Sequence, residues 1–418
     1  MTSTAPVEPA DAPHVFIGLA HLMRQAFSGV DLKPLAAALI AHATRQPEDA
    51  NALLDLATTL LLNGHRELAL STQMEALQMQ QIYSVPATGE PTLRVLALMA
   101  PGDLMANTPL EFLRENASIA LDMAYVGVGI PALSDLPEHD VMFVAIGHSD
   151  ENDRLLSELD AVVSDWPRPV INRPAHIRQL ARDRACTLLQ DLPGVAMPVC
   201  LRVARDSLQK IGHGMLALAD LIPDAAYPVI IRPLASHAGQ GLLKIDTAAA
   251  LNAYLDVTPG AEFHVARFVD YRSSDGQFRK YRIMLIAGQA FISHMGISSH
   301  WMIHYLNAGM AECAHKRAEE ARFMATFDSL FVPRHAEAFN GIAERTGLDY
   351  VGIDCGETAQ GDLLVFEVDS DMIVHAMDPA DIFPYKTAPM ACLFTAFRKL
   401  LADIAATGLV APAGDPQN

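Results

Sequence analysis

VGIDCGETAQGDLLVFEVDSD (351–371) sets two apolar runs around a Gln-Gly pair and threads carboxylates through both. Gln360-Gly361 suits a two-residue hairpin loop, because glycine accepts the positive φ that such turns need. Counting back from that loop places Asp354 opposite Glu367 and Gly352 opposite Asp369. Side chains alternate faces along a strand, so Asp354, Glu367 and Asp369 share one face. Val351, Ile353 and Cys355 then meet Leu364, Phe366 and Val368 on the other, which reads as core. Carboxylates are poor strand formers, and like charges across a ladder destabilise it. Three on one face call for a cation, with Gly352 leaving room opposite Asp369.

The rest of the chain narrows what that cation serves. At 418 residues it is long enough for several domains, and 51% hydrophobic with 19% charged residues is globular composition. A formal charge of −19 argues against a nucleic-acid partner. Within that acidic background, basic residues gather at Arg173, Arg178, Arg182, Arg184 and at Arg272, Arg279, Lys280, Arg282, which points to anionic small ligands. The five cysteines show no paired spacing and read as reduced, buried residues. No secretory signal and no 18-residue apolar run is visible, so a cytoplasmic protein without a membrane span is expected.

Composition divides the chain into five stretches. Residues 1–13 are a Pro/Ala-rich tail, expected to be disordered. Residues 14–83 are Ala/Leu-rich with helical periodicity, and PEDANALLDLATTLLLNGHRELALSTQMEAL within them looks like a tetratricopeptide-type helical hairpin, either a docking surface or a packed cap. Residues 84–175 open with a Pro/Gly linker, IYSVPATGEPTL (82–93), and then alternate strands and helices. The strands RVLALMAPG, ALDMAYV, DVMFVAIGH and PVINRP suit a parallel sheet with both faces covered. Residues 176–260 begin with a helix over 176–190 and contain IIRPLASHAGQGLLKI, a strand, a glycine-bearing turn and a strand. Such a loop can lay backbone N–H groups on a phosphate, although a plain hairpin matches as well. Residues 261–418 carry long antiparallel strands and the opening hairpin. The fold class is thus α/β and α+β, multidomain.

In this order the pieces resemble the ATP-grasp superfamily, of the glutathione synthetase-like kind, over about 95–375. The resemblance implies a Rossmann-like domain followed by a two-subdomain ATP-binding unit using ATP and Mg²⁺. Its metal carboxylates fall on Asp354 and Glu367, and its usual Asn on Asp369. Its glycine loop falls on Ser236, Gly239 and Gly241, and its adenine hinge on Ala266, Phe268 and Val269. Its two phosphate lysines fall on Arg184 and Arg232, and arginine keeps the charge and adds a fork suited to phosphate. Arg282 and Arg232 would be the catalytic pair. The acidic hinge residue of the family is absent, with Arg267 in that neighbourhood.

The implied reaction is ATP-dependent joining of a carboxylate to an amine or thiol through an acylphosphate, on a small molecule or peptide. Two alternatives share these residues: a non-catalytic nucleotide-binding protein that recruits a partner through its helical N-terminus, and an ATP-dependent phosphotransferase. A second copy of the chain is a further candidate partner. SHMGISSHWMIHYLNAGM (293–310) offers His300, Trp301, His304 and Asn307 as substrate contacts. His300 and His304 also have a spacing that suits zinc, but no Cys or carboxylate stands at ligand spacing beside them.

Overall fold

The computed structural model describes residues 12–115, 117–133, 135–222, 226–234 and 239–408. Four helices open the chain: α1 (Leu19–Phe27), α2 (Lys33–Arg45), α3 (Ala50–Leu62) and α4 (Arg66–Met79). Asp49 caps α3 by accepting from the Ala52 amide at 3.1 Å. Ala52, Ala57, Ala69 and Ala76 are fully buried, and their small side chains let α3 and α4 lie close. Asp55, also fully buried, points outward from this pair and accepts from the Ile17 and Gly18 amides at 2.7 and 3.0 Å. Glu111 accepts from the Ala20 amide at 2.7 Å, setting a carboxylate at the positive end of α1. Burial pushes the Glu111 carboxyl up to about 7. Two carboxylates from later elements therefore fix where α1 runs.

The first sheet has the order β1-β3-β2-β4-β5, from β1 (Ile82–Val85), β2 (Leu93–Met99), β3 (Ile119–Tyr125), β4 (Val141–Val144) and β5 (Val170–Ile171). All its pairs are parallel except the edge pair β1 with β3. The stretch expected as a linker thus begins with a strand, because Tyr83 is fully buried and its hydroxyl donates to the Ala76 carbonyl at 3.2 Å. Helices α5 (Leu110–Leu113) and α6 (Asp150–Ser164) belong to this unit, the latter capped by Ser149.

The helix expected over 176–190 is two helices, α7 (Pro174–Ile177) and α8 (Arg182–Leu188). Ala181 between them is extended (φ −47°, ψ 134°), which restarts the helix at Arg182 and turns it. Beyond them lie β6 (Val195–Ala196), β7 (Cys200–Ala204), α9 (Arg205–Gly212), β8 (Val229–Pro233), β9 (Leu243–Ile245), α10 (Ala248–Val257) and β10 (Glu262–Arg267). An antiparallel sheet in the order β7-β10-β8-β9 forms here, with α9 and α10 over its core. The expected division after 260 falls just before β10, a central strand of this sheet.

The third sheet has the order β12-β11-β13-β14-β6, with β11 (Phe278–Ile286), β12 (Gln289–Ser298), β13 (Tyr350–Glu357) and β14 (Leu363–Asp369). Helices α11 (Ala314–Thr326), α12 (Val332–Arg334) and α13 (Ala336–Thr346) precede β13, and α14 (Thr387–Thr407) closes the described chain. Leu393, Phe397, Leu400 and Leu401 of α14 join the first sheet to Met284, Ile286 and Tyr350 in one core. Asn172, fully buried, adds a polar seam: its side chain donates to the Tyr350 carbonyl at 2.8 Å and accepts from the Tyr350 amide at 3.0 Å.

The deciding hairpin forms, and Asp354 pairs with Glu367 and Gly352 with Asp369. The turn, however, is not two residues long. Thr358 and Asp362 are the last bonded pair, with Gly361 at φ 92° inside a three-residue loop. A bulge near Cys355 then absorbs one residue of β14, so Cys355 faces Val365. The longer loop and the bulge cancel, which leaves the carboxylate register as counted. Phe366 is the displaced residue: it packs on Tyr271 (ring centroids 4.9 Å) and lines a cavity, where core was expected. The space beside Gly352 is taken by sulfur, since a Cβ there would lie 2.5 Å from Met372 Sδ.

Candidate active site

A cavity of about 480 Å³ opens between the second and third sheets and reaches the ends of the first. Its apolar end is made by Met197, Ile230, Ala266, Phe268, Val269 and Phe366. Phe268 stands edge-on to Trp301 (5.6 Å), and the Tyr271 hydroxyl donates to the Trp301 carbonyl. An apolar end walled by aromatic rings, beside the end of β10, suits an aromatic base.

The middle of the cavity is charged. Arg282 stands opposite Asp354 in the β11–β13 ladder, and Asp354 stands opposite Glu367 in the next. Arg282 grips Asp354 through Nε (2.8 Å) and Nη2 (2.9 Å), and Lys280 Nζ reaches the same carboxylate at 2.6 Å. Burial alone would raise the Asp354 carboxyl, but the Arg282 and Lys280 charges outweigh it and hold it below its ordinary range. The carboxylate row thus meets cations of the protein itself. Glu367 is paired with Arg182, which overcomes its burial and lowers it likewise. Arg232 faces this row from β8 of the second sheet, and burial with the nearby Arg182 charge brings its guanidinium down to about 10. A cationic group pushed toward neutrality by burial and a like charge is stabilised by an arriving anion.

Asp369 and Asp371 are not matched in this way. Oδ1 of each is buried without a hydrogen-bond partner, and both residues line the cavity. Burial raises both, with the Glu367 charge adding at each and Asp369 adding at Asp371, which stands well above the usual range. Among the described residues no three His, Cys, Asp or Glu side chains stand together as a ready metal cage. Mg²⁺, however, commonly takes only one or two carboxylates and completes its octahedron with phosphate oxygens and water. The orphaned oxygens at 369 and 371 fit that use.

At the far end the cavity meets the N-terminal helices: Met23 and Phe27 of α1 form its wall with Met105, Ile373 and His375. The His375 ring lies between Phe27 (5.5 Å) and Phe112 (6.2 Å), and burial pushes it down to about 4. The segment 301–307 forms another wall and is anchored from behind. Lys386 Nζ meets Asp378 (2.8 Å) and Glu320 (3.4 Å) and stacks over Tyr305 (4.1 Å). Glu320, fully buried, also accepts from the Tyr385 hydroxyl and the Met295 amide at 2.7 and 2.9 Å.

The structure thus brings Asp354, Glu367, Asp369, Arg232, Arg282, Gly239, Ala266, Phe268, Val269, Trp301, His304 and Asn307 to one cavity. Three expected residues are elsewhere. Arg184 points away, paired with Asp153 at 3.0 Å, and Arg182 takes the inward position. Gly241, at φ 66°, packs against Pro233 and does not line the cavity. His300 is exposed, and because 300–304 are not helical, it and His304 do not share a face. Ser236 lies outside the described residues. Arg182 belonged to a visible basic cluster, so its signal was present; only the break at Ala181 selects it over Arg184. Met23 and Phe27 carried no such signal, since they read as any apolar helix face.

No known protein-family description matches the chain. Solved structures resembling it include the VanG D-Ala:D-Ser ligase from Enterococcus faecalis (TM-score 0.45, 12% identity, 74% of this chain and 99% of that one). Others are the D-alanine–D-alanine ligase from Coxiella burnetii (0.48, 8%, 76% and 96%) and a RimK domain ATP-grasp protein from Sphaerobacter thermophilus (0.42, 17%, 75% and 99%). At such identities and TM-scores the functional reading has to come from the site.

Proposed function

We propose that the chain is an ATP-grasp ligase, joining a carboxylate to an amine or thiol on a small molecule or peptide. The observation that carries this reading is the pair of opposed faces: an acid row with Arg282 and Lys280 on the third sheet, and Arg232 on the second, beside an apolar slot. The base enters the slot beside Phe268 and Val269, and the triphosphate runs toward Arg232, Arg182 and Arg282. Glu367 and Asp369 would hold Mg²⁺, joined by Asp354 as Lys280 and Arg282 turn from it to phosphate. Mg²⁺, when bound, neutralises and orients the triphosphate.

The substrate carboxylate attacks the γ-phosphorus, the bond to the β-phosphate oxygen breaks, and ADP leaves. An amine or thiol then attacks the acyl carbon, phosphate departs and the nucleophile loses its proton. Arg282, once turned from Asp354, stabilises charge on the transferring group with a guanidinium that β11 already places in the cavity. The glycine-bearing turn at Gly239 limits water, which would otherwise hydrolyse the acylphosphate.

The test couples two measurements. ATP with Mg²⁺ raises the melting temperature, and ADP release with an amino-acid and peptide panel is lost in Glu367→Ala. A chain that ATP does not stabilise, or ADP release that survives this substitution, overturns the reading.

A further inference from the structure

Asp371, whose free oxygen was noted above, is held in the cavity by contacts from the first sheet. It is 4% exposed, lies just beyond β14, and keeps Oδ1 without a partner beside the equally unpartnered Asp369 Oδ1. Its other oxygen is pressed against Gly147 in the loop after β4, where a Cβ would overlap Asp371 Oδ2. Only glycine at 147 admits this carboxylate. The backbone between the two acids is pinned as well, since the Thr108 hydroxyl donates to the Ser370 carbonyl at 2.8 Å. Thr108 and Gly147 both follow strands of the first sheet, at the carboxyl-end crevice where parallel sheets bind ligands. The fold therefore holds two carboxyl groups within hydrogen-bonding reach of each other, each with an oxygen left over.

We propose that Asp369 and Asp371 together hold a divalent cation at the edge of the first sheet, completed by phosphate oxygens or water. A divalent cation takes the place of the proton that these converging carboxyl groups hold when empty, and compensates both at once. Arg182 is engaged by Glu367, and Lys280 and Arg282 are engaged by Asp354. Asp371 would thereby give the first sheet a direct hand in holding the metal. The inference rests on the ligase reading for the source of phosphate, but the cation site itself does not require catalysis.

The experiment titrates Mn²⁺ into the full chain, alone and with a non-hydrolysable ATP analogue, following free metal by electron paramagnetic resonance. Asp371→Asn is expected to weaken Mn²⁺ binding at least about tenfold, while the metal-free melting temperature stays level because the amide is isosteric with the carboxyl group. Asp371→Ser removes the same carboxyl group and is read in its place should the Asn variant not fold. Mn²⁺ affinity within about twofold of the parent overturns the proposal. So does analogue binding that stabilises the chain equally in EDTA and in Mn²⁺, which leaves the ATP reading standing. If the analogue stabilises under neither condition, the ligase reading falls, and the titration with Mn²⁺ alone decides the cation site.

Discussion

Replacing Arg182 and Arg184 separately by alanine distinguishes which arginine serves the nucleotide. Arg184 has 49% of its side chain exposed and is paired with Asp153, itself shared with Arg178. An exposed pair of this kind contributes about 0–1 kcal/mol, so Arg184→Ala should leave nucleotide affinity within about twofold. Arg182 lies in the cavity against Glu367. A hydrogen bond to a charged group contributes about 1.5–3 kcal/mol, which at 1.4 kcal/mol per decade is roughly 10- to 150-fold in affinity. The assay is calorimetric titration of a non-hydrolysable ATP analogue at fixed Mg²⁺ and ionic strength, because exposed charges are screened by salt. If Arg184→Ala weakens binding as much as Arg182→Ala, the placement of α8 and the reasoning drawn from it are wrong.

Two further outcomes follow from buried charge. Lys386→Met leaves Glu320 and Asp378 without their cation and should cost about 3–5 kcal/mol in urea unfolding; a midpoint unchanged from the parent would show the network to be dispensable. His264 is pushed down to about 4 by burial, with the Arg182, Arg202 and Arg232 charges adding and Asp183 opposing. Its folded pKa lies below the unfolded value near 6.5, so the unfolded chain binds the proton first and stability falls as pH drops from about 6.5 toward 4. The His264 share is at most roughly 3 kcal/mol, and His264→Gln should flatten that part of the pH profile. An unaltered profile would mean that His264 keeps its ordinary pKa in the folded protein.

Much of the third sheet was legible because period-2 alternation is a local property. The Asp354–Glu367 and Gly352–Asp369 pairs came out as counted, although through compensating errors in loop length and bulge. Phe366 exposes that compensation: a bulge reverses which face a residue takes, and strand alternation contains no signal for it. The strand at 82–85 was hidden by the Pro and Gly just after it, while its assignment rests on pairing with β3 nearly forty residues later.

By itself the sequence determined the order of units, the acid row of the hairpin, and the arginines and glycines from which an anion site could be assembled. Those features depend on residues close in the chain, where periodicity and turn chemistry act directly. Tertiary structure alone decided that Arg182 and not Arg184 faces Glu367, that Lys280 and Arg282 occupy Asp354, and that α1 walls the cavity. It also decided that Asp371 is driven against Gly147. Each of these joins groups far apart in sequence, and their direction is set by helix breaks and by packing between sheets, which no local spacing encodes.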